Sequence, residues 1–377
     1  MRFLRTLSTR YLVALTAVAV AVAIGGAAIA VAASRGGGPT PPDKPLARAL
    51  HDSLAAPDAS GITARVKFTN RLFPSGSLVG ANLSALMSGA TGRLWLTNDG
   101  RGRLELQSDA GDAQVMWDKD ALTIYDASSN TVYKVKLPSS STQSSDNGQA
   151  PSLDEINSFL AKLGAEADIS PATPTNVAGR PAYSAKISPK HDGGLLGYAQ
   201  LAWDADHGVP LRIGIYAQGS SSPVLELAAT NITYGSVPAA DVTITPPAGV
   251  KTVDLSPPTG AKPDTSESAK PDFNVVAPDT LVGLPRQDLR TLGNGDELVV
   301  YGKGLGAIVV FEHKADTGAQ GNSMLSALPP VALDGLKGHE LATQLGTAIQ
   351  WTRNGVSFVL AGSLPPAAAE SAARALK

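Results

Sequence analysis

Hydrophobic and polar positions alternate along much of the chain, most clearly in "DAQVMWDKDALTIYDASSNTVYKVKLP", Asp112 to Pro138. Val115, Trp117, Leu122, Ile124, Tyr133, Val135 and Leu137 fall on one side, and Gln114, Lys134 and Lys136 on the other. A period of two predicts three short strands joined by two tight turns. Upstream, "GRLWLTNDGRGRLELQ" predicts a hairpin around Asn98–Gly102. Downstream, "RPAYSAKIS", "YAQLAWDAD", "VPLRIGIYAQ", "PVLELAATNITYG" and "DVTITPP" read as further strands. Turn residues separate them at intervals of about 8–12 residues, as in an antiparallel sheet that curls or closes.

The period changes in three places. Leu46, Ala49, Leu50 and Leu54 share one side of a helix predicted over Pro45–Leu54. "SLDEINSFLAKL" predicts a second helix over Ser152–Leu163. Ser152 and Glu155 form a capping box ahead of the stripe Leu153, Ile156, Phe159, Leu160 and Leu163. Near the C-terminus, "ELVVYG" and "AIVVFEH" read as strands, and "AIQWTRNGVSFVLAG" as a hairpin turning at Asn354-Gly355. A capped alanine-rich helix is expected over Pro365–Leu376.

Two stretches break the pattern. "SPPTGAKPDTSESAKPDFN", Ser256 to Asn274, is rich in Pro, Ser and charge and cannot bury a core, so it reads as a linker. Ser139 to Ser152 reads as an exposed loop. At the N-terminus, Arg2, Arg5 and Arg10 precede the uncharged run Tyr11 to Ala33. That run is long enough to span a bilayer, and the arginines set the N-terminus in the cytoplasm. The competing reading is a secretory signal cleaved near "AVA", Ala30 to Ala32. In either case the remainder lies outside the cytoplasmic membrane. The expected organisation is a signal or transmembrane anchor over 1–35, a tether over 36–45, a main domain over 46–255, a linker over 256–275 and a smaller C-terminal α+β domain over 276–377.

Composition narrows the chemistry. The chain has 377 residues, a net charge of −2 and 17% charged residues, with no Lys/Arg stripe, so nucleic acid is not an expected partner. It has no cysteine, which excludes disulfides, thiolate metal sites, cysteine nucleophiles and a lipid-modified cysteine. His51, His191, His207, His313 and His339 show no metal-site spacing. Asp204, Asp206 and Gly208 resemble the start of a calcium loop, but the glycine is misplaced and no Glu closes it. "GKGLG", Gly302 to Gly306, lies between strands without a helix that would hold a phosphate. There is no G-x-S-x-G elbow. The expectation is a protein that is not an enzyme, with no catalytic residue, metal or cofactor.

The order of these elements resembles the LolA family of periplasmic lipoprotein carriers. The likeness is carried by "GRLWL" (Gly92–Leu96), by Val115 to Leu137 with Asp118, Leu122 and Tyr125, by "LAWDADHGVPLRIGIY", and by "DVTITPPAGVKTV" (Asp241–Val253). The addition of a smaller second domain resembles the plan of the RseB (MucB) regulators. The apolar N-terminus departs from both and suggests tethering in place of shuttling. The fold class implied is α+β, mainly antiparallel β: a LolA-like open half-barrel with covering helices, plus a smaller C-terminal α+β domain.

The resemblance implies that the half-barrel holds a lipid or lipoprotein acyl chain. By alternation the inward, lipid-binding set is Trp95, Leu104, Leu106, Val115, Trp117, Leu122, Ile124, Tyr133, Val135, Leu137, Leu201, Trp203, Leu211, Ile213 and Ile215. Parity leaves Leu94 and Leu96 competing with Trp95 for the interior. On this reading Trp117→Asp abolishes lipid uptake and leaves the fold intact. Two rival readings stand beside it. One is a regulator that binds an anti-sigma factor or other membrane protein; the other is a structural envelope protein without a ligand.

Overall fold

The computed structural model describes residues 38–72, 85–137, 150–165, 167–190, 194–243, 245–254, 270–292, 295–315 and 328–377. The predicted anchor, the start of the tether, most of the 139–152 loop and most of the linker lie outside the described residues. Among the described residues no helix is long and apolar enough to cross a membrane.

Two sheets account for the architecture. The first contains β1 (Gly61–Asn70), β2 (Ala90–Thr97), β3 (Gly102–Ser108), β4 (Gly111–Trp117), β5 (Ala121–Asp126) and β6 (Thr131–Lys136). It continues with β7 (Ala167–Ile169), β8 (Thr173–Val177), β9 (Arg180–Pro189), β10 (Leu196–Asp204), β11 (Pro210–Ala217), β12 (Pro223–Tyr234) and β13 (Lys251–Asp254). The spatial order is β13-β6-β5-β4-β3-β2-β1-β12-β11-β10-β9-β7, with β8 also paired to β9. The sheet is open and antiparallel except where β13 runs parallel to β6. Its centre is β1, which pairs with β2 on one side and β12 on the other. β1 was absent from the predicted elements although Ile62, Ala64, Val66 and Phe68 alternate with Thr63, Arg65, Lys67 and Thr69.

Among the described residues this unit has three helices: α1 (Leu46–Leu54), α2 (Ala85–Ser88) and α3 (Leu153–Leu163). α3 starts as its sequence predicts. The Glu155 backbone N–H donates to Ser152 Oγ, and the Ser152 N–H donates to Glu155 Oε2 at 2.8 Å. α1 packs against α3. The predicted strand "DVTITPP" is corrected: Ala239–Val242 form a 3-10 turn, and the last strand begins at Lys251. Pro246 and Pro247 have no backbone N–H to give a ladder, which disfavours a strand there.

The second sheet runs β14-β15-β16-β17-β21-β20-β19-β18. Its strands are β14 (Thr280–Leu281), β15 (Leu284–Thr291), β16 (Glu297–Tyr301), β17 (Ile308–Lys314), β18 (Pro330–Leu333), β19 (Leu336–Ala342), β20 (Thr347–Arg353) and β21 (Val356–Gly362). The β20–β21 hairpin turns at Asn354 and Gly355, both at positive φ, as an Asn-Gly turn requires. Helix α4 (Pro366–Ala375) has a proline in its first turn and buries Ala369, Ala372 and Ala373 among Val310, Ile349, Trp351, Phe358 and Leu360. The sheets meet where Leu195 N–H donates to Ser363 O and Gln344 Nε2 donates to Arg71 O at 2.9 Å.

Candidate functional site: the apolar face of the large sheet

Register decides which side chains share a face. Leu94 stands opposite Leu104, Leu104 opposite Val115, Val115 opposite Ile124, and Ile124 opposite Tyr133. Across β1, Phe68 faces Leu227, which faces Ile213, which faces Leu201. One continuous apolar face therefore runs from β6 to β9.

Most of the predicted inward residues lie on it, in different roles. Leu104, Leu106, Val115, Trp117, Leu122 and Ile124 are buried in one cluster with Phe68, Ala85 and Leu86, and Tyr133, Val135 and Leu137 pack half-buried against it. Trp117 is 5% exposed, with its indole lying on Gly102, where a side chain would collide with the ring. That makes it a core residue, so the expectation that Trp117→Asp spares the fold is revised. Trp203 and Leu201 pack with Ala49, Leu46 and Leu50 of α1, beside Tyr183 and Ala185. Leu211 is buried beside Val177, Ala182 and Ala202, and Ile215 is half-buried opposite Leu225. Trp95 is the correction: it pairs with Arg103 on the other face, and the Arg103 guanidinium sits 5.2 Å from its ring centre. The Leu94 and Leu96 alternative holds, because the register of β2 against β1 puts these leucines opposite Ala64 and Ile62.

A cavity of about 80 Å³ opens in the middle of this face. Its walls are Ile62, Ala64, Val66, Leu94, Leu96, Val209, Leu211, Ile213, Leu227, Ala229 and Ile232, with Pro210 and Arg212. Of the predicted set, Leu211 and Ile213 line it. The others missed the cavity because it sits over β1, β2, β11 and β12. It arises where Ala64 and Ala229 are too short to fill the space, beside the irregular pairing of β1 with β12 at Arg65/Val66. Arg212 is the charged residue of the wall, and its Nε lies 3.7 Å from Glu226 Oε2.

Helix α1 covers the face on the β9–β10 side, and a polar turn holds its end. Asp204 is fully buried. It accepts from Tyr234 O–H at 2.7 Å, Arg180 Nε at 3.0 Å, and the N–H groups of Asp206 and His207. Burial pushes the Asp204 carboxyl up, but these donors outweigh it, Tyr234 first, and leave it below the ordinary carboxylate value. His207 stacks on Tyr234 at 3.8 Å. The following Gly208, at φ +66°, approaches so closely that a Cβ would lie 2.1 Å from Ser53 O in α1. The Asp204/Asp206/Gly208 motif is thus a turn that seats a helix.

The cavity wall is apolar apart from Arg212. Among the described residues no cluster of three or more His, Asp or Glu could hold a metal. At about 80 Å³ the cavity is smaller than a typical small-molecule site of roughly 300–1,000 Å³.

No protein-family model matches the chain, and no curated protein matches it. Solved structures do. The Pseudomonas aeruginosa MucA/MucB complex aligns at 17% identity and TM-score 0.42, covering 87% of this chain and 94% of that one. A putative outer membrane lipoprotein-sorting protein domain from Vibrio parahaemolyticus aligns at 10% identity and TM-score 0.24, over 53% of this chain and 96% of that one. A LolA superfamily protein from Nitrosomonas europaea aligns at 8% identity and TM-score 0.22, over 53% and 98%.

Proposed function

We propose that this chain is an extracytoplasmic binding protein that takes an acyl chain of a lipid or lipoprotein into the apolar cavity of the large sheet. The observation that carries this reading is the apolar cavity in the centre of the sheet, walled by Ile62, Ala64, Leu94, Leu96, Leu227 and Ile232. Each methylene entering it from water gains about 0.8 kcal/mol. Entry from a bilayer gains close to nothing, since lipid tails are already in an apolar phase. Uptake from a membrane is then reversible, which suits a protein that must also release its cargo. On this proposal the apolar segment Tyr11 to Ala33 holds the chain at the membrane with its N-terminus in the cytoplasm.

The test is mass spectrometry of an organic extract from residues 36–377 expressed with export. A stoichiometric lipid or acylated species supports the reading. A clean extract together with no uptake of a fluorescent fatty acid overturns it. A second reading, regulation through an anti-sigma factor or other membrane protein, is favoured by the second sheet, where Val282, Leu289, Leu292 and Val309 are exposed. Crosslinking in membranes that captures one specific membrane protein through 276–377 supports that reading.

A further inference from the structure

The core of the second sheet contains an arrangement that neither sheet-forming pattern nor ligand binding explains. Glu297 on β16 and Glu312 on β17 are directly opposite cross-strand partners on the face that also carries Val299, Val310 and Tyr301. They are 3% and 0% exposed. Side chains so paired have Cβ atoms about 5 Å apart, and like charges there repel. Two buried carboxylates without a cation are costly to ionise.

The hydrogen-bond inventory of the pair is incomplete in a specific way. Glu297 Oε1 accepts from Thr291 Oγ1, and Glu312 Oε2 accepts from the Val276 N–H at 2.9 Å. The other oxygen of each group, Glu297 Oε2 and Glu312 Oε1, is buried without a partner among the described residues. One proton taken up by the pair removes the repulsion between the two carboxylates.

The surrounding charges are committed elsewhere. Arg286 on β15 donates to Ala277 O and to Asp279 Oδ1 at 2.8 Å. Lys314 on β17 pairs with Asp272, both largely exposed. Arg353 on β20 donates to Leu376 O, and Arg374 and Glu370 of α4 pair with each other. The neighbouring positions on β21 and β20 are Phe358 and Trp351, stacked at 5.0 Å. Tyr301 Oη is itself buried and unpartnered among the described residues.

We propose that Glu297 and Glu312 share a single proton, and that this acid–carboxylate pair is a pH-sensitive clasp on the segment entering the second sheet. That segment, 272–279, seats Phe273, Val276 and Ala277 against the core, and its Val276 N–H is held by Glu312 itself. Burial, with Glu297 adding to it, pushes the Glu312 carboxyl up to about 7 against the hold of Val276. The proton is therefore taken up as the pH falls through neutrality. The sign follows: a carboxyl raised in the folded state makes the fold more stable as pH falls from about 7 toward 4.5, and least stable above 7. Acid stabilises the second sheet by relieving the buried charge and alkali destabilises it, while the Val276 N–H bond itself favours the carboxylate.

The experiment uses the full chain. Infrared spectra near neutral pH are expected to show a protonated-carboxyl band that vanishes on raising the pH. Unfolding followed by tryptophan fluorescence is expected to show an equilibrium constant falling on the order of 100-fold between about pH 8 and about pH 5. E312Q removes most of that dependence, and E297Q reports on the pair independently if E312Q folds poorly. The infrared band needs no variant. Absence of the band overturns the proposal. So does a pH dependence unchanged in both variants, or a stability that falls on adding a chelator, which would place a cation between the carboxylates.

Discussion

Ala64→Leu separates the cavity's role in binding from its role in stability. Ala64 is buried at the centre of β1, opposite Leu94 on one side and Ile232 on the other, and forms part of the cavity wall. Leucine adds three carbons pointing into about 80 Å³ of empty space. Unfilled volume costs about 24 cal/mol per Å³, so complete filling recovers about 2 kcal/mol. Incomplete fit and lost rotamer freedom reduce this, and a gain of about 1 kcal/mol is expected. For a unit of roughly 200 residues that raises Tm by about 2–4 °C. The variant is thus expected to be more stable and to lose uptake of a fluorescent fatty acid. The paired assay is thermal unfolding of the apo protein and a fatty-acid titration on one preparation. A variant that is destabilised by more than about 1 kcal/mol yet binds as before refutes the reasoning, because the cavity would then be neither empty space nor the binding site. A variant that is stabilised and still binds refutes the location of the site alone.

Further outcomes are expected elsewhere. Gly208→Ala should lower stability in urea unfolding, because a Cβ at φ +66° and 2.1 Å from Ser53 O must push α1 away. Asp204→Ala strips a buried acceptor from Tyr234 and Arg180 and should cost on the order of 3–5 kcal/mol in urea unfolding. Because the Asp204 carboxyl is held below its ordinary value, its contribution is present above the unfolded value and is lost as pH falls through the folded one; the wild-type advantage over the variant should shrink in strong acid. Trp117→Asp should abolish folding, measured by circular dichroism, since it buries a charge where the indole lies on Gly102. Trp95→Ala should leave fatty-acid uptake unchanged, since Trp95 faces away from the cavity.

The sequence by itself determined the local structure and the class of fold. Alternation in 112–138 specifies strands because a half-dry surface needs side chains of one kind at every second position. The Ser152/Glu155 box and the Asn354-Gly355 turn act through neighbouring backbone groups, so each was legible before any tertiary contact was known. Ile62, Ala64, Val66 and Phe68 carried an equally clear pattern, but nothing local marks β1 as the centre of the sheet. What the tertiary structure decided was non-local. Register turned Trp95 outward and Leu94 inward, because a shift of one residue exchanges the faces of a strand and only the partner strands β1 and β3 settle it. The cavity formed away from the most hydrophobic stretch. The larger side chains of β3 to β5 fill the space they create, whereas Ala64 and Ala229, distant in sequence, leave a gap when β1 and β12 come together. The pairing of Glu297 with Glu312 was likewise invisible in the chain, since two glutamates fifteen residues apart are ordinary surface charges until antiparallel strands place them face to face in a core.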